Sequence, residues 1–183
     1  ACDMDNLGKD IVKVYEKKQD YLNSGVVISF AETGTALGHS VFNYINADYE
    51  FIHTTREKVK NKESLYFLEE HSHATNHNED LKYLKDKEEI ILVDDEITTG
   101  NTCINLIKKI NELFPKKRYT ICSILNWMND EAFDRFKKLE QEVNCKINFV
   151  YLFSGDFEFK CDEEKVENII KCSENKDNIR FKN

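Results

Sequence analysis

The residues best suited to chemistry stand in one run, Ile90-Ile91-Leu92-Val93-Asp94-Asp95-Glu96-Ile97-Thr98-Thr99-Gly100-Asn101-Thr102. The apolar residues at its start predict a buried strand, which delivers two carboxylates and then a loop of small residues opening a helix. Successive backbone N–H groups over Thr98, Thr99, Gly100, Asn101 and Thr102, at a helix N-terminus, make a concave site for a phosphate dianion. The threonine hydroxyls add donors. Gly100 brings the backbone close without a Cβ, so Gly100→Val is expected to block phosphate entry. Asp94 and Asp95 stand just before this nest, where their oxygens can accept hydrogen bonds from vicinal ribose hydroxyls or hold Mg²⁺ through water. Adjacent strand residues face opposite sides, so the two acids divide the work, one toward ligand and one toward metal or supporting backbone. Phosphate at one end and a diol at the other describe a sugar phosphate.

Such a strand–loop–helix unit needs neighbours. Strands are predicted at Val26 to Phe30, Tyr49 to His53, Ile90 to Val93, Tyr119 to Leu125 and Ile147 to Phe153. Three following segments carry apolar stripes at helical spacing: Leu37, Val41, Tyr44 and Ile45; Ile104, Ile107, Ile110 and Leu113; and Phe133, Phe136, Leu139 and Val143. Strands alternating with helices predict an α/β class fold, a mostly parallel five-stranded sheet flanked by helices, with its ligand crevice at the carboxyl ends of the strands. The rhythm breaks over residues 54–81, a connection long enough to act as a flexible lid or binding loop after the second strand. No linker divides the chain, so residues 1–183 are expected to form one domain, with a core over about 24–155 and a C-terminal helix and tail over 156–183.

Composition narrows the function classes. A 183-residue chain that is 40% hydrophobic suffices for one ordinary core. Its net charge of −8 repels a phosphate backbone, which argues against nucleic-acid binding. No apolar run approaches the length of a membrane span and no signal-peptide pattern opens the chain, so no membrane partner and a cytoplasmic location are expected. The six cysteines (Cys2, Cys103, Cys122, Cys145, Cys161 and Cys172) form no C-x-x-C pair and read as reduced structural thiols.

The apolar run, the Asp-Asp pair and the T-T-G-x-T loop together resemble the phosphoribosyl pyrophosphate (PRPP) signature of type I phosphoribosyltransferases. More narrowly, Phe30-Ala31-Glu32-Thr33-Gly34-Thr35-Ala36-Leu37-Gly38-His39, His53-Thr54-Thr55-Arg56 and Glu69-Glu70-His71-Ser72-His73-Ala74-Thr75 resemble the orotate phosphoribosyltransferase-like family of bacterial tellurite-resistance (stress-response) gene clusters. The resemblance implies a Rossmann-like fold, PRPP and Mg²⁺ as ligands, and transfer of ribose 5-phosphate to a nitrogenous acceptor with release of pyrophosphate, within nucleotide metabolism. It assigns Asp94 and Asp95 to the ribose diol and Mg²⁺, Thr98 to Thr102 to the 5-phosphate, and Ala31, Glu32, Thr33, Gly34 and Thr35 to pyrophosphate. The 32–35 segment, following a strand and opening a helix, agrees with that role, and Gly38 lets the helix pack closely. The superfamily also implies a homodimer. Purine-salvage members carry an acid where this chain has Thr98, whereas orotate-type enzymes carry Thr. Glu96 stands where an apolar residue is common and has no assigned role. A hood region that relatives place upstream of the first strand is expected to be partly absent.

Arg56, Lys58, Lys60 and Lys62 are the expected source of positive charge for the departing pyrophosphate, with Arg56 counted among the catalytic residues. The bland reading is a solvated loop. His71 and His73 alternate on an extended segment and would share one face toward an acceptor base or phosphate; with His77, Glu69 and Glu70 they also have the spacing of a metal cage, or simply of a polar loop. Trp127, His39 and His53 read as packing residues. A nucleotide-triphosphate reading fails, because Gly34-Thr35-Ala36-Leu37-Gly38-His39 lacks the spacing and the lysine of a P-loop. Two functions lead, a PRPP-dependent transferase and a non-catalytic PRPP or nucleotide-binding regulatory module; behind them stands a phosphatase or kinase-like Mg²⁺ site on the same strand-end carboxylates.

Overall fold

The computed structural model describes residues 2–55, 73–74 and 84–155. In chain order the elements are α1 (Cys2–Lys18), β1 (Gly25–Ser29), α2 (Gly34–Tyr44), β2 (Tyr49–Thr55), β3 (His73–Ala74), β4 (Glu89–Ile97), α3 (Asn101–Leu113), β5 (Arg118–Asn126), α4 (Asp130–Val143) and β6 (Lys146–Ser154). The sheet order is β3-β2-β1-β4-β5-β6. Five strands run parallel, as the alternation predicts; the two-residue β3 adds an antiparallel edge, pairing Thr54 with Ala74 and Thr55 with His73. Residues 56–72, 75–83 and 156–183 lie outside the described residues, and with them the expected lid and C-terminal tail.

The two central strands explain the order. Every residue of β1 is buried, as are the first five of β4, so neither strand tolerates a solvated face and both need helices on each side. Val26, Ile28, Ile90 and Leu92 face a core closed by Leu106, Ile107 and Ile110 of α3 and by Phe136 and Leu139 of α4. Val27, Ile91 and Val93 face the other core, with Leu37 and Val41 of α2 and Ile11, Val12 and Tyr15 of α1. Within the predicted stripes one residue departs. Leu113 is 46% exposed, because α3 ends there and Phe114 takes its place against the core.

Before β1 stands the 17-residue helix α1, with acids in its first turn and lysines in its last. It crosses α2 closely, for a Cβ at Gly8 would overlap Ser40. The Ser40 hydroxyl donates to the Asp5 carbonyl oxygen at 2.9 Å. A Cβ at Gly38 would likewise strike Ser29, which is the close α2–β1 packing expected of that glycine.

At the start of β4, Glu89 is fully buried and held on every side. It accepts from the hydroxyls of Tyr15 (2.7 Å), Tyr49 (2.5 Å) and Thr120 (2.6 Å), and from Arg118 Nε (2.9 Å) and Nη2 (2.7 Å). A carboxylate this deep persists only with such compensation. The cluster ties α1 to three strands at the end of the sheet opposite the loops described below. Burial, followed by the nearby Glu89 charge and hydrogen bond, raises the Tyr15 phenol far above its ordinary value, and burial and Glu89 do the same to Tyr49. The native state therefore keeps these protons when the unfolded chain has lost them. Their stabilising contribution is whole below about pH 10 and falls as pH rises further, by about 1.4 kcal/mol per pH unit for each group. Chemical denaturation between pH 9 and 11.5 is expected to show this decline, and the Tyr15→Phe, Tyr49→Phe double variant to flatten it.

Cys103, Cys122 and Cys145 are buried and form no disulfide among the described residues. Burial pushes the Cys145 thiol up to about 11 and raises Cys122 further still, so neither is thiolate at neutral pH.

Candidate active site

β1 hands its chain to α2 on one face of the sheet, while the adjacent β4 hands its chain to α3 on the other. The outgoing loops therefore part and leave a crevice between them, the position at which open α/β sheets bind ligands. Residues 30–33 form one wall and residues 98–100 the other.

The first wall is pinned from both sides. The Phe30 N–H donates to the Val93 carbonyl (3.0 Å), and the Ala31 N–H donates to the hydroxyl of Thr54 (2.7 Å), itself 1% exposed. The Ala31–Glu32 peptide is cis. Gly34 begins α2 directly against β4: a Cβ there would stand 3.1 Å from Asp94 Oδ1 and 3.2 Å from the Val93 carbonyl oxygen. Glu32 and Thr33 are exposed and Thr35 is half-buried.

The second wall encloses a 340 Å³ pocket lined by Asp94, Glu96, Ile97 and residues 98–103. Thr98, Thr99 and Asn101 are exposed, and Thr102 is half-buried. Gly100 has φ +69°, the left-handed region that favours glycine. The reason for this glycine differs from the expected one. A Cβ at Gly100 would point away from the pocket into the Phe136 ring and toward Met128 Sδ, so a side chain here injures the α4 packing and does not cover the nest. Gly100→Ala is expected to cost about 1–3 kcal/mol through backbone strain and overpacking, read as a lower melting temperature.

Asp94 and Asp95 make different contacts. Asp94 lines the threonine-loop pocket, and its Oδ1 accepts the Asp95 N–H at 3.0 Å. Asp95 turns toward α2, where its Oδ1 accepts the Thr33 hydroxyl at 2.9 Å and links the two walls. Glu96, two residues beyond Asp94, lines the same pocket.

The helix starts at the crevice share a property. Neither Thr33, before α2, nor Gly100, before α3, supplies a side-chain cap, whereas Asn129, before α4, accepts the Ala132 N–H at 2.9 Å. The N–H groups opening α2 and α3 thus carry their partial positive charge toward the crevice without an N-cap side chain over them, and at α3 the Asn101 N–H donates to the Thr99 hydroxyl at 3.4 Å.

Arg135 is absent from the sequence-based candidates. From α4 its Nη2 donates to the Thr99 carbonyl (2.7 Å) and its Nη1 to Asn101 Oδ1 (2.5 Å), bracing the loop from behind, while its buried Nε has no hydrogen-bond partner. Nothing in the residue pattern marks it, since the contact spans 34 to 36 positions. Of the other candidates, Arg56, Lys58, Lys60, His71 and His77 lie outside the described residues, and His73 is described only through its backbone pairing in β3. His39 rests on Phe51, with ring centroids 4.2 Å apart. Trp127 follows β5, its N–H donating to the Ile97 carbonyl at 2.8 Å.

The fold is that of a known class. Residues 2–156 match the family model described as phosphoribosyl transferase, and the chain belongs to that family. Among solved structures it is similar to APRTase from Giardia lamblia complexed with 9-deazaadenine, at 17% identity and TM-score 0.55, covering 85% of this chain and 80% of that one. It is also similar to a hypothetical protein from Neisseria gonorrhoeae with bound ppGpp, at 9% identity and TM-score 0.53, covering 93% of each chain. Adenine phosphoribosyltransferase from Saccharomyces cerevisiae follows at 14% identity and TM-score 0.51, covering 79% and 76%. At these identities the likeness is one of fold. No curated protein matches. No helix among the described residues is long and apolar enough to cross a membrane.

Proposed function

We propose that the chain is a PRPP- and Mg²⁺-dependent phosphoribosyltransferase that moves ribose 5-phosphate onto a nitrogenous base or related acceptor and releases pyrophosphate. The observation that carries this reading is the pair of helix starts whose N-cap residues make no side-chain cap, facing one crevice with two carboxylates between them. The N–H groups of residues 98–102 hold the 5-phosphate, those of residues 31–35 receive the pyrophosphate, and Asp94 and Asp95 accept from the ribose diol.

The acceptor, coming to the anomeric carbon as its bond to pyrophosphate breaks, meets a sugar carrying cationic character. Asp94 and Asp95 stabilise that charge, and the residue 31–35 wall stabilises the oxygens that leave. The acid pair suits Mg²⁺, which commonly takes one or two carboxylates and completes its shell with water and substrate oxygens. Among the described residues no group of three or more His, Cys, Asp or Glu forms a closed cage. When bound, the ion supplies charge neutralisation for the departing pyrophosphate. Arg56, Lys58 and Lys60 add cations to the same oxygens, and His71 and His73 contribute to acceptor recognition. Thr98, in place of an acid, favours an orotate-like acceptor over a purine that needs protonation at N7. One domain over residues 1–183, a homodimer and a cytoplasmic location complete the reading.

Arg135 supports the phosphate loop in this scheme. Arg135→Met is expected to weaken PRPP affinity about tenfold, on the scale of a charged hydrogen bond, with Arg135→Lys between the two. Isothermal titration measures it; unchanged affinity in the Met variant removes Arg135 from the site.

A second reading has a specific observation in its favour: the fold neighbour from Neisseria gonorrhoeae carries ppGpp, so a domain of this shape can hold a nucleotide polyphosphate. The two readings part on turnover. With PRPP, Mg²⁺ and a panel of bases, the transferase releases pyrophosphate only when the right acceptor is present. Saturable PRPP binding without acceptor-dependent release identifies the regulatory module instead.

A further inference from the structure

At the end of the sheet opposite the crevice lies a second cavity, 630 Å³ in volume, bounded by Lys18, Gln19 and Leu22 at the end of α1 and by Lys117, Arg118, Lys146, Asn148 and Phe149 at the starts of β5 and β6. We propose that it is a binding site for a small phosphorylated anion, separate from the candidate active site and independent of the function assigned there.

In a chain of net charge −8, four cationic side chains and no carboxylate line this cavity. Two are neutralised from outside it, Lys117 by Glu88 at 2.5 Å and Arg118 by the buried Glu89 at 2.7 Å, which leaves a formal excess of two positive charges. That excess equals the charge of a phosphate dianion. Glu140 lines the adjoining groove beside Lys117 and Lys146, and its Oε1 already accepts the Ile147 N–H at 2.8 Å.

The donors are also unspent. Among the described residues the Lys146 ammonium makes no hydrogen bond or ion pair, and the Nη1 of Arg118 has no partner although its Nε and Nη2 are fully engaged. Lys18 uses one N–H on the Phe149 carbonyl at 2.9 Å, lies 5.1 Å from the centre of the Tyr151 ring, and keeps further N–H groups for a ligand. The Arg118 fork is held rigidly, at 12% exposure, by Glu89, the Tyr15 hydroxyl and the Asp20 carbonyl, so its free edge is presented at little entropic cost. The amides of Gln19 and Asn148 bond each other and fix the neighbouring part of the lining. A preorganised guanidinium edge with mobile lysines around it is the donor set that recognises phosphoryl oxygens.

The experiment is an amide chemical-shift titration of the full chain with inorganic phosphate, and in parallel with ribose 5-phosphate to separate free phosphate from a phosphate ester. Saturable shifts are expected at Lys18, Gln19, Lys117, Arg118, Lys146 and Asn148, distinct from any shifts over residues 98–102. Lys146→Glu, at an exposed position that leaves the core untouched, is expected to raise the dissociation constant of the first group at least tenfold; Lys117→Met provides a second variant without charge reversal. Shifts confined to residues 98–102, shifts that grow without a plateau, or affinity unchanged in both variants overturn the proposal. Loss of the residue 98–102 shifts alone contradicts the candidate active site and leaves this cavity standing.

Discussion

Asp95→Asn is expected to leave the fold intact and to lower PRPP turnover by about two to three orders of magnitude, the scale of losing one preorganised charge-stabilising group. The substitution keeps the volume of the side chain, and its amide oxygen can still accept the Thr33 hydroxyl that now joins Asp95 at 2.9 Å. What it removes is the negative charge that the proposed mechanism sets against the developing cation. Asp94→Asn takes away the same charge on the other side and is expected to act comparably. Since Asp94 lines the pocket of residues 98–103, its loss is also expected to weaken PRPP binding. Steady-state pyrophosphate release gives kcat/KM, and thermal melting checks that both variants are folded. Wild-type ligand behaviour in both would falsify the ribose assignment.

Glu89→Ala carries the largest expected effect on stability. Truncation leaves the guanidinium of Arg118 and the hydroxyls of Tyr15, Tyr49 and Thr120 without their common acceptor in a fully buried position. Breaking a buried ion pair from one side costs about 3–5 kcal/mol. For a chain of this size that lowers the melting temperature by about 10 °C or more. Glu89→Gln keeps several of the hydrogen bonds while losing the charge, and is expected to fall between. Because Glu89 and the Asp94–Asp95 pair occupy opposite ends of β4, the variants that remain folded should bind PRPP as wild type does. Differential scanning calorimetry beside PRPP titration separates the two effects; a melting temperature within a degree or two of wild type contradicts the structural role given to Glu89.

The β4–loop–α3 unit was the most legible part of the chain, because its physics is local. A run buried on both faces, two acids, small residues and an apolar stripe each signal their own conformation within a few positions. The parallel order of five strands followed from their alternation with helices. The edge strand β3 did not, for a two-residue pairing gives no periodicity to read. Helix α1 was missed although Leu7, Ile11, Val14 and Tyr15 follow helical spacing; it precedes the first strand and so lies outside the alternation that revealed the others. Glu89 reads as one more charge in Lys85-Asp86-Lys87-Glu88-Glu89, and only the convergence of α1, β2 and β5 on it makes it a core residue. Arg135 and Gly100 teach the same lesson from the site. Residue type showed that Gly100 must be small, but the neighbour that demands it is Phe136 on a later helix.

The most direct test of the central claim is a crystal structure of the chain with PRPP and Mg²⁺. The 5-phosphate is expected within hydrogen-bond distance of the N–H groups of residues 98–102, the ribose hydroxyls on Asp94 and Asp95, and the pyrophosphate along residues 31–35. PRPP bound elsewhere on the molecule, with the crevice between the two loops vacant, contradicts the account.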